Sequence, residues 1–168
     1  MEYLALIFLH VFCGIVWAGG AVVTGLFIVP AVIDAGPAAG PVMAGVARRG
    51  LPVVMTVAAF IVVLTGARLY MLRFTTFWLT TNEGIVITLG ALLAIAGFVM
   101  GVFIQRPTVA RLGALSAQIA ASGAAPTASQ AGELQALRAR LRKTAALTAW
   151  HLLGAAALMS AHRLAVAF

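Results

Sequence analysis

Charge is scarce in this sequence. Only 9% of its 168 residues are charged, while 63% are hydrophobic. With a mean hydropathy of +1.09, an ordinary soluble domain is excluded, because a chain of this length could not hide so much apolar surface. A basic leader is also missing. Glu2 is the only early charge, so the first apolar run is expected to be a retained helix and not a cleaved secretory signal. The single cysteine, Cys13, excludes an intrachain disulfide and leaves the redox compartment open. Internal repeats and a coiled-coil array are absent, and Met55, Met71, Met100 and Met159 are too dispersed for a copper-binding run.

What the chain does have is apolar length. Four runs, roughly 3–29, 51–73, 84–104 and 144–167, each approach the ~20 residues that cross a bilayer core about 30 Å thick. In lipid the backbone must satisfy its own hydrogen bonds, so each run reads as a transmembrane helix. The expected fold is all-α: one integral membrane domain over 1–168, built as a four-helix bundle. The net charge of +7 then reflects topology and not nucleic acid. Arg48 and Arg49 lie between helices one and two. Arg106, Arg111, Arg138, Arg140, Arg142 and Lys143 lie between helices three and four. Basic connections stay on the cytoplasmic side, which predicts a multi-pass protein of a bacterial-type inner membrane with both termini outside.

The connections differ in kind. Residues 31–50 are rich in glycine and proline and read as an inner loop or broken helix. In 106–143, Val109, Leu112, Leu115 and Ile119 repeat at helical spacing, as do Leu134, Leu137 and Leu141. Thr127 and Gln130 have the spacing of a capping box. Helices three and four are therefore expected to extend into a cytoplasmic helical hairpin, its arginines facing solvent or lipid.

Titratable side chains inside hydrocarbon cost a few kcal/mol on insertion scales (about 2.5–3.5 for a charge), so each asks for a partner. His10 lies about 10 Å from the outer end of helix one at ~1.5 Å per residue. Arg68 and His162 fall in the same outer layer, whereas His151 belongs to the inner half of helix four. His151 and His162 stand about 16 Å apart along one face, too far to share an iron whose bonds are near ~2 Å. A bis-histidine centre must therefore combine His10 with one of them: His162 by depth, or His151 if the helix ends slip by a turn. Haem b suits this pattern. Imidazole is a neutral iron ligand, Arg68 would meet a propionate, and Trp17, two turns deeper on nearly the same face as His10, would pack on the ring. Gly14, Gly19, Gly20, Gly154, Ala155 and Ala157 would leave room for it. Three histidines permit one bis-histidine haem; a second haem would need a five-coordinate iron or a different ligand such as methionine.

The segment LHVFCGIVWAGGAVVTGLFIVP has His10, six residues, Trp17, then Ala18, Gly19, Gly20 and, further on, Pro30. It resembles the first helix of small bacterial membrane proteins of the HemJ/CopD-like kind. The stretch ARRGLPVVMTVAAFIVVLTGARLYML is similar to that family's second helix, basic residues followed by proline and an apolar run. The resemblance implies four helices and, on the HemJ-like side, haem b and the oxidation of protoporphyrinogen, with His10 as the first-helix haem ligand. On the CopD-like side it implies copper handling. The HemJ-like third helix carries a lysine near its start, whereas 84–101 here holds no basic residue.

The leading expectation is a membrane haem b protein for electron transfer or haem-linked oxidation near the outer face. Redox partner, quinone, and homo-oligomer or larger complex are left open. A copper- or metal-handling transport module would instead use His10, His151 and His162 as a metal path. A structural subunit of a larger membrane complex would use the histidines only to bond helices.

Overall fold

A computed structural model describes residues 1–165, with side chains through 161. The described residues are helical apart from short turns and contain no strand. In chain order the α-helices are α1 (Glu2–Val23), α2 (Val29–Ala35), α3 (Gly40–Arg48), α4 (Leu51–Arg73), α5 (Asn82–Val99), α6 (Arg106–Ser122) and α7 (Ala128–Ala165). Four helical stretches are long and apolar enough to cross a membrane: Glu2–Arg48, Leu51–Arg73, Asn82–Ser122 and the stretch within α7.

Two prolines shape the longest of these. Pro30 and Pro107 lie in the first turns of α2 and α6, where a straight α-helix would lose a hydrogen bond and the ring would crowd the carbonyl four residues back. Neither proline ends its helix. A wider π-helical turn precedes each one, Thr24–Ile28 before Pro30 and Met100–Gln105 before Pro107. The extra residue in that turn takes up the misfit locally. Helix one thus runs past residue 29 to Ala35, and 31–50 is a broken helix: α2, a 3₁₀ turn at Gly36–Ala39, then α3.

The turns carry the expected chemistry. Gly50 (φ 83°) and Gly123 (φ 63°) adopt the left-handed conformation that L side chains avoid, and they separate α3 from α4 and α6 from α7. The Thr81 hydroxyl accepts from the Gly84 amide at 3.1 Å and caps α5. Thr127 and Gln130 form the capping box: the Gln130 amide donates to the Thr127 hydroxyl, and the Thr127 amide to the Gln130 side-chain oxygen at 2.9 Å.

The strongest pairings are α1 with α4 and α5 with α7, both antiparallel, and α7 also packs against α1. α6 folds back onto the first part of α7, where Arg111 donates to Glu133 at 2.6 Å. α7 is the longest helix and touches the most neighbours, and of the four candidate spans it buries the largest share of its residues. Cys13, Trp17 and Ala21 of α1 meet Ala58, Ala59 and Val62 of α4 and Leu152 of α7, with Phe98 of α5 against them. Outside this core the rule of soluble proteins is reversed. Phe8, Leu64 and Phe103 are each about two-thirds exposed, and large apolar side chains cover the flanks of all four spans. Such a surface is at home in hydrocarbon.

Candidate functional site

The buried residues of α1 recur every three to four positions, Cys13, Trp17 and Ala21, and His10 continues that stripe one turn toward the N-terminus. α4 presents Ala58, Ala59, Val62 and Thr65 in return. The antiparallel register brings His10 onto Val62, Thr65 and Gly66. His10 Nδ1 lies 3.1 Å from the Val62 carbonyl and 3.2 Å from the Thr65 hydroxyl.

This network determines the tautomer. A carbonyl only accepts, so Nδ1 carries the proton and donates it to Val62. The Thr65 hydroxyl donates its own proton to the Ile61 carbonyl at 2.6 Å and is left to accept from Nδ1–H. The Nε2 lone pair is therefore unused, and no described residue hydrogen-bonds to it. A histidine held through Nδ1–H by a carbonyl, with Nε2 free, has the arrangement that orients an imidazole as a metal ligand.

Gly66 is the third part of the seat. A Cβ at this position would stand 2.8 Å from Cε1 of His10 and 3.3 Å from Nδ1. The imidazole thus lies against bare backbone, a contact that any larger residue would break. Thr65, Gly66 and the Val62 carbonyl were not among the candidate residues read from sequence. Their signal was a hydroxyl beside a glycine in α4, opposite His10 once the two helices are set antiparallel.

The other expected site residues are placed as follows. Trp17 is 7% exposed and packs edge-on against Phe98, with ring centroids 6.4 Å apart. It shares the core with Val62, whose carbonyl holds His10. Arg68 turns toward the end of the bundle and pairs with Glu2 at 2.8 Å, both side chains more than half exposed. His151 is partly exposed and donates Nδ1–H to the Leu147 carbonyl of its own helix at 2.7 Å. Nothing described joins it to His10. His162 lies on α7, but its side chain falls outside the described residues. The glycines expected to leave room for a ring divide into two sets. Gly20 is closed by Met55 and Gly154 by Leu93, while Gly14 and Gly19 face open space.

Beyond Arg68, the same end of the bundle carries a second polar network. Arg73 bridges Glu83 and the Tyr3 hydroxyl, Trp78 Nε1 donates to Glu83 at 3.4 Å, and Tyr70 bonds Thr88 at 2.8 Å. All of these groups have partners. Among the described residues no three histidine, cysteine or acidic side chains gather to hold a metal ion.

Among the described residues Nε2 of His10 has no partner and is the atom that would be left to hold a metal ion or a haem iron. No family model, curated protein or solved structure matches this chain.

Proposed function

We propose that this chain is a multi-pass protein of a bacterial-type inner membrane that holds haem b through Nε2 of His10 and serves electron transfer or haem-linked oxidation near the outer face. One observation carries the reading: Nδ1–H of His10 is committed to the Val62 carbonyl while Nε2 keeps its lone pair.

The orientation follows from charge. Arg48, Arg49, Arg106, Arg111, Arg138, Arg140, Arg142 and Lys143 fall in the two connections at one end, which the preference for basic loops makes cytoplasmic. α6 and the first part of α7 then form a cytoplasmic hairpin, and both termini face outward. His10 comes to lie in the outer half of the membrane.

Haem b would supply the one-electron chemistry. The protein's contribution is to orient and tune. The Val62 carbonyl and Thr65 hydroxyl draw on Nδ1–H and raise the basicity of Nε2. Gly66 sets how close the imidazole approaches α4. Trp17 and Phe98 fill the space toward the middle of the bundle and keep water from that side. Arg68, already half exposed, is the cation that would exchange Glu2 for a propionate. His162 is the second ligand favoured by depth.

A visible spectrum of the detergent-purified protein, expressed with ample porphyrin, is the test. The expected result is a Soret band, with sharp α and β bands on reduction if a second histidine binds. His10→Ala should remove or convert it, and an unchanged spectrum would exclude His10 as a ligand. A second reading is favoured by the closeness of the ring to Gly66: His10 as a hydrogen-bonded staple between α1 and α4. That reading predicts a colourless protein that loses only about 0.6 kcal/mol of stability in the same variant, the average for such bonds in membranes.

A further inference from the structure

Each of the four acidic residues pairs with an arginine: Glu2 with Arg68, Glu83 with Arg73, Glu133 with Arg111 and Asp34 with Arg142. The last pair is loose at 3.9 Å. At the same end of the bundle Arg48, Arg49, Arg106, Arg138, Arg140 and Lys143 have no carboxylate partner among the described residues. Two of these facts meet in one place. A cleft of about 540 Å³ lies between α2 and the first part of α7, with apolar walls from Ile33, Pro37, Pro126 and Leu134 and with Arg138 and Arg142 as its cations. Mostly apolar walls with a few polar groups are the usual make-up of a ligand site of this size.

We infer that this cleft seats the headgroup of an anionic phospholipid, its phosphate between Arg138 and Arg142. Charge complementarity and depth carry the assignment. Arg142 precedes Thr144, the start of the fourth apolar run, by two residues and Arg138 precedes it by six, about 3 and 9 Å along the helix. The headgroup layer extends roughly 5–8 Å beyond the hydrocarbon on each side, so Arg142 lies within it and Arg138 at its outer edge. Arg138 is uncompensated, and Arg142 is held only by the distant Asp34, so both guanidinium groups are available to an incoming phosphate. The inference rests on the membrane placement proposed above and is independent of haem.

Native mass spectrometry of the full chain in detergent tests it, with phosphatidylglycerol and phosphatidylcholine of matched acyl chains as probes and inorganic phosphate as a separate arm. The wild-type chain should retain phosphatidylglycerol in preference to phosphatidylcholine. Arg138→Gln and Arg142→Gln should each lower that preference about fivefold, the usual effect of one basic residue at a membrane surface, and the double variant of the two should lose it. Arg140→Gln with Lys143→Gln removes the same charge outside the cleft and should leave the preference largely intact. Asp34→Asn frees Arg142 and should raise it. Equal losses in the two double variants would mean a diffuse basic surface and overturn the inference. So would displacement of the lipid by an equal concentration of inorganic phosphate, which would make the cleft a phosphate site. If the cleft double variant does not fold, Asp34→Asn decides alone, and no rise overturns the inference. A variant that loses lipid preference yet keeps the His10-dependent spectrum separates this site from the haem reading.

Discussion

Two polar clusters interrupt the apolar interior, and they differ in what they leave over. Between the third span and α7, the Gln105 amide donates to the Thr148 hydroxyl at 2.6 Å and to the Thr144 carbonyl at 3.2 Å. Thr144 and Thr108 return their own protons to carbonyls one turn back. These bonds hold two helices together where the π-helical turn at Met100–Gln105 leaves the regular path. Between α1 and α4, His10 donates through Nδ1 and has no partner at Nε2 among the described residues. The first cluster joins two helices through an amide and hydroxyls; the second contains an imidazole, whose second ring nitrogen is the kind of group that can bind a metal. Position in the membrane does not make the distinction; the chemistry of the group left over does.

Substitutions can break this contrast. The largest effect is expected from His10→Ala, which should abolish the Soret band of the purified protein, while the helical content by circular dichroism stays near that of the wild type. Gly66→Leu comes next. Even a Cβ would collide with the imidazole, so the variant should lose about 1–3 kcal/mol of stability, as overpacked sites do, and most of its colour, read from the thermal midpoint and the Soret-to-protein ratio. Thr65→Val keeps the shape and the Val62 acceptor. Its expected cost is about tenfold in haem affinity, the low end for loss of a group that orients a ligand, measured by haem titration. The smallest effect belongs to the Gln105 cluster: Gln105→Leu should cost about 0.6 kcal/mol and leave the spectrum unmoved. If Gln105→Leu shifts the spectrum as much as Thr65→Val does, the two clusters are not distinct in the way described.

Much of the architecture could be read from composition. The four spans follow from run length, since apolar stretches of this extent have few alternatives to a helix across lipid. The Thr127–Gln130 box and the break at 31–50 follow from local residue chemistry. The passage of helix one through Pro30 was not legible, whereas that of helix three past Pro107 was expected from the helical spacing beyond it. Proline reads as a boundary, and the π-helical turns that absorb it show only in the backbone path. The site was half legible. A histidine in an apolar run asks for a partner, so His10 and Trp17 could be picked out. Its partner, however, is the carbonyl of Val62, and a backbone atom leaves no mark on composition. Arg68 was matched to His10 by counting residues from the helix ends. That count ignores the reach of a long side chain, which here runs outward to Glu2.

The long helix α7 has a consequence for how the protein is made. It is the fourth of the four spans in chain order, and it carries Thr144, Thr148 and His151 inside its apolar stretch. Of the four candidates it is also the least apolar, and the translocon selects segments by apolarity. Its Thr144 and Thr148 meet Gln105 at the inner part of the third span, so entry of the fourth span is expected to be coupled to a third span already standing in the bilayer.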